Sequence, residues 1–179
     1  MKTMDPIDEL KEISNRGRVA FAICCLESAL DHFQSDKKSW KPVFDELWKF
    51  CSSDMAIWQQ RCGEAIPFSV CEKIDWKIKD SRYLTKEEHD VLQELYDGAN
   101  VIALDIINLI HDIGTTNINV TIRNEALKMA AIPYIQSLID LMNTNKIPLP
   151  DIKLFKKFPI TDNRGWGWTF NREDLFKSE

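Results

Sequence analysis

The chain has 179 residues, of which 44% are hydrophobic and 28% charged, with a formal net charge of -5 and a pI near 5.3. That length fits one domain with a sizeable core, and the acidic balance speaks against a general nucleic-acid binder, which carries a basic field. No uninterrupted apolar run is long enough to cross a membrane, and the opening MKTMDPIDELKE lacks the apolar stretch of an export signal. The expected setting is therefore the cytoplasm. Cys24, Cys25, Cys51, Cys62 and Cys71 are odd in number and contain no C-x-x-C, so they read as reduced thiols that mostly fill the core.

In chain order the pattern is helical. Asp5-Pro6 opens a helix with Ile7, Leu10 and Ile13 on its buried side. Asn15-Arg16-Gly17 then predicts a kink near Gly17, because Val19 to Phe33 carries its apolar residues on a different side. Ser39 is the expected cap of a helix with Trp40 and Pro42 in its first turn and Val43, Phe44, Leu47, Trp48 and Phe50 facing inward. Ser52 or Ser53 caps the next, over Asp54 to Cys62, with Gly63 as its stop. Pro67 starts a short helix to about Lys73, and 75–84 is a charged connector. Thr85 and Glu88 form a capping box for what reads as one long central helix over 85–113. Its wide apolar arc demands neighbours on several sides. A last long helix is expected from Thr121 to Asn143, kinked at Pro133.

From 144 to 179 proline, glycine and aromatic residues dominate. The apolar content is too high for a disordered tail, so this stretch is expected to wrap back on the body, with a helical turn near 150–156 and another after Asn171. The predicted fold is all-α: a single domain over 1–179, with a helical body (5–143) around the long helix and an irregular aromatic tail.

Chemistry-bearing clusters are sparse. His111-Asp112 could meet Glu27, Asp31 and His32 at a metal, but no Glu-x-x-His of the di-metal bundles occurs. The spacing of Arg82 and His89 resembles that of helical ribonucleases of the HEPN type, in which such a pair handles phosphate and proton transfer. Tyr83 departs from the polar residue usual after the arginine. Cys24 and Cys25 lie in an apolar run that raises a thiol pKa, and there is no glycine-rich phosphate loop. The expectation is no catalytic residue, no metal and no cofactor.

Two surfaces stand out for binding. One is an acidic line on the long helix, Asp90, Glu94, Asp97, Asp105 and Asp112, suited to steering a basic protein. The other is Arg164-Gly165-Trp166-Gly167-Trp168, where glycines around tryptophans permit a tight path and large aromatic contacts. Asp97, Asp105, Asp112, Arg164, Trp166 and Trp168 are the candidate partner-binding residues.

Gly17 to Cys24 (GRVAFAIC), Trp40 with Leu47-Trp48-Lys49-Phe50, Ile66-Pro67 and Gly165-Trp166-Gly167 together resemble the all-α immunity proteins of bacterial polymorphic toxin systems, the sixth-numbered immunity family in particular. The resemblance spans nearly the whole chain. It implies a cytoplasmic, non-enzymatic protein that binds and neutralises a cognate toxin; the acidic charge and the lack of a long apolar run add the expectation of neither nucleic acid nor membrane as partner. The rival readings are a HEPN-like or metal-dependent helical enzyme and a helical adaptor.

Overall fold

The structure, a computed structural model, describes residues 5–116, 118 and 129–177. Helix α1 (Pro6–Lys11) starts as its sequence predicts: the Asp5 carboxylate accepts from the Ile7 amide and Pro6 stands in the first turn. The bend then comes earlier than Gly17. Ser14 caps α2 (Asn15–His32), so Asn15, Arg16 and Gly17 form its first turn. The reversal falls at Glu12–Ser14, where the amide of Ile13 still bonds to the Leu10 carbonyl.

Helix α2 is the axis of the fold. From Asn15 to Ile23 every residue is buried, which suits a rod enclosed on all sides. Around it and its neighbours lie α3 (Lys41–Ser52), α4 (Met55–Ala65), α5 (Pro67–Val70), α6 (Lys86–Asp97), α7 (Val101–Thr115) and α8 (Ile132–Thr144). Helix α7 is the principal partner of α2; α3 packs on α2 and α4 on α3, while α8 closes against α7 and α2. One continuous core joins Leu26 and Leu30 to Phe50, Trp58, Ile106, Ile110 and Leu138. No strand occurs among the described residues, and the one isolated bridge pairs Ile13 with Pro159.

Several boundaries differ from expectation. The long helix over 85–113 is two helices, broken at Gly98–Asn100, and the Asn100 side chain caps α7 by accepting from the Ile102 amide. The Thr85–Glu88 capping box is present as predicted. Trp40, not Ser39, precedes α3 without a side-chain cap, because the Ser39 hydroxyl is bonded to Asp36. Asp54 caps α4 in place of either serine, and α4 runs past Gly63 to Ala65. Gly114 is inside α7 rather than at its end: a Cβ there would lie 2.8 Å from the Trp58 ring, so the glycine lets the indole rest on the helix. Pro133 falls in the first turn of α8, where its missing N–H does no harm and no kink results. The expected helical stretch over 121–128 lies outside the described residues.

The tail wraps back, with 3₁₀ turns at Ile152–Phe155, Asp162–Gly165 and Arg172–Phe176. Phe155 is buried against Phe21 and Phe158 stacks on Phe170.

Candidate functional site

Four helices leave an open groove of about 300 Å³ between α3, α4 and α6, with α7 beneath. The apolar faces set by helical spacing make its floor: Val43 and Leu47 from α3, Cys62 from α4, Leu92 from α6, Ile107 from α7. Charged residues at helical spacing on the edges of the same faces, Glu46 beside Val43 and Leu47 and Glu88 one turn before Leu92, bring charge to its wall. Arg61 donates to Glu46 Oε2 (2.8 Å), to Glu88 Oε1 (3.0 Å) and to the Tyr83 carbonyl (2.8 Å). Lys49 adds a second bond to Glu46 Oε2 at 2.9 Å. The hydrogen bond to Glu46 is the main cause holding the Arg61 guanidinium above its ordinary pKa. The Thr85 amide, and after it Arg61, keep the Glu88 carboxyl below the usual range, against some desolvation.

Glu46 is the unusual member. It is 8% exposed, and its second oxygen, Oε1, is buried and accepts no hydrogen bond from the protein. Glu87 stands on the exposed rim beside Val91, which is 56% exposed. The groove is concave and apolar with few fixed polar groups, the general character of a binding site. It has no nucleophile poised for chemistry. Burial pushes the Cys62 thiol well up, as it does Cys25 and Cys51, and raises Cys24 to about 12. All five cysteines are free thiols, with Cys71 exposed.

Sequence reasoning did not find this groove. Glu46, Arg61 and Glu88 are far apart in the chain, and only Glu88 carried a local signal, as the capping-box acid.

The residues singled out from sequence lie elsewhere. Asp97 and Asp105 are exposed, but on different helices, so the acidic residues do not form one line along one rod. Asp90 is paired with Lys86. Asp112 is half-buried, and desolvation raises its carboxyl despite the neighbouring His111. The tail motif divides. Trp166 packs on the core and its carbonyl accepts the Arg16 amide at 3.0 Å. Arg164 and Trp168 point the other way: Arg164 is exposed on a left-handed backbone (φ 57°) and Trp168 is 65% exposed. None of the six lines the groove.

The two chemical constellations are not assembled. His111 rests on Trp58, Glu27 pairs with Arg172, and Asp31 pairs with Lys37. Among the described residues no group of three or more histidine, cysteine, aspartate or glutamate side chains is placed to hold a metal. His89 is buried beside Trp76 and Lys79, whereas Arg82 is exposed with Asp80 as its ion-pair partner. No described helix is long and apolar enough to cross a membrane. Compared with protein-family models, curated proteins and solved structures, the chain matches none.

Proposed function

We propose that the chain works by binding, as an immunity protein that neutralises a protein toxin inside the cell that makes both. The observation carrying this reading is the groove between α3, α4 and α6: open, apolar at its floor, and walled by an arginine already held by three acceptors. A wall fixed in advance loses little freedom when a partner docks, so more of the contact energy appears as affinity. The stretches that resemble the all-α immunity proteins suggest the same class. Neutralisation would then be steric: the bound protein covers the toxin's working surface. The exposed Trp168 and Arg164 supply a second patch of the residue types that anchor interfaces.

The test is genetic and then biochemical. Deleting the adjacent toxin gene should make this gene dispensable, and the two purified products should co-elute as one complex. A growth defect on loss of this gene that persists without the neighbour, or failure of the pair to associate, rejects the reading.

A further inference from the structure

We infer that the groove receives a segment of a protein partner that presents a large apolar side chain beside a lysine or arginine, the cation being taken by Glu46 and Glu87. This rests on the binding reading above and adds the chemistry of what binds. Three carboxylates, Glu46, Glu87 and Glu88, line the groove against one guanidinium, Arg61, and with Lys49 bonded to Glu46 from outside the lining one carboxylate, that of exposed Glu87, remains in surplus. Arg61 is already engaged by Glu46, Glu88 and the Tyr83 carbonyl, so it is committed to the wall. An incoming acidic group would meet the surplus of carboxylate; a basic one complements it.

Glu46 Oε1 is a second, independent sign. A buried carboxylate oxygen without a donor is costly, and here it belongs to a residue lining an open cavity. A lysine or arginine N–H arriving with the partner would satisfy it, and Arg61 with Lys49 keeps the carboxylate in place from the other oxygen. The floor of Val43, Leu47, Leu92 and Ile107 accounts for the apolar neighbour. The groove opens past exposed Pro42 and Val91 rather than enclosing its contents. A side chain carried on a longer chain needs such an exit; a small free amine does not.

The test pans a displayed library of short random peptides against the purified full-length chain. Enriched peptides should carry Leu, Ile, Met or Phe within about three positions of Lys or Arg, the reach of one helical turn. Binding of a winning peptide should fall about ten-fold in Glu87→Lys and in Val91→Lys, since each places a like charge at the rim. Both sites are exposed, so these variants keep the fold. Glu46→Gln should erase the preference for the basic residue while retaining the apolar one. Methyl resonances of Val43, Leu92 and Ile107 should shift on titration. Enrichment of acidic or uncharged peptides, indifference to Glu87→Lys, or no enrichment overturns the inference. So does hexylamine occupying the groove where no peptide displaces it, which would assign the site to a free amine. The two readings separate cleanly: a toxin that binds equally to wild type and Glu87→Lys leaves the immunity reading standing and removes this one. Peptide selection as described without toxin association does the reverse.

Discussion

Arg16 shows how much one side chain does here. Its Nη1 donates to the Gly167 carbonyl (3.1 Å) and its Nη2 to the Ser53 carbonyl (3.2 Å), while its backbone amide takes the Trp166 carbonyl. One residue therefore ties α2 to the tail and to the α3–α4 link. Burial lowers its pKa, yet a guanidinium stays charged at any working pH. Replacing it by methionine keeps the volume and leaves the Gly167 carbonyl without this donor, so Arg16→Met should cost about 2–3 kcal/mol in urea unfolding. Gly167 is the matching constraint. Its φ is +80°, and a Cβ would sit 2.4 Å from Ser14 Oγ. Gly167→Ala should therefore destabilise by about 2 kcal/mol or more, through strain and overlap together. Gly98 is the control: it is exposed, has φ of -92°, and a Cβ would meet nothing closer than 3.9 Å. Gly98→Ala should be neutral or add up to about 1 kcal/mol by restricting the unfolded chain.

At the scale of elements, the entry into α6 is fixed from α4. The Glu64 carboxylate accepts from the amides of Arg82, Tyr83 and Leu84, each at 2.9 Å, and from the Ser81 hydroxyl at 2.8 Å. Burial pushes this carboxyl up, but the four donors outweigh it and the net shift is downward from 4.5. A depressed folded-state pKa means stability that is complete above the unfolded value and is lost as pH falls through the folded one. Glu64→Gln should thus cost about 1 kcal/mol at neutral pH, and urea midpoints of variant and wild type should converge on acidification below the ordinary glutamate value. This clamp was not legible in the sequence, since Glu64 and the loop it holds belong to different elements. The capping box at Thr85 was, because its partners are three residues apart. The break at Gly98–Asn100 escaped for a particular reason. Three interrupting residues are close to one helical turn, so Ile102, Ala103 and Ile106 resume nearly the phase left by Leu95 and Tyr96. Hydrophobic spacing then reads straight through, although Gly98 followed by Asn100 offers a stop and a cap. Tail docking was legible from apolar content too high for a free tail, and helical turns near 150–156 and after Asn171 were expected where 152–155 and 172–176 form them; the groove was not, because its wall is assembled from three separate helices.

For the whole molecule, the question is whether the tail is an attachment or part of the cooperative unit. The contacts favour the second. The Ile160 amide donates to the Glu12 carbonyl at 2.8 Å and the Phe170 amide to the Cys51 carbonyl at 3.0 Å; in return the Ser14 amide donates to the Phe158 carbonyl at 2.8 Å. The bonds at Glu12 and Ser14 occupy the reversal between α1 and α2, and the one at Cys51 takes a carbonyl in the last turn of α3, places where the helices cannot supply the partner themselves. Phe155, Phe170 and Leu175 are as buried as the helices they cover. Lifting the tail would expose that surface and the buried polar groups of Ser14 and Arg16 at once, a loss comparable with the total stability of a domain this size. Native-state hydrogen exchange along a urea series checks this directly. The amides of Ile160 and Phe170 should open with the same free energy and the same urea dependence as those of Ile106 and Ile107 in α7. Arg16→Met should lower all four equally. A separable tail would instead exchange through a smaller opening with a shallow urea dependence, and Arg16→Met would weaken Ile160 and Phe170 while leaving α7 as protected as before.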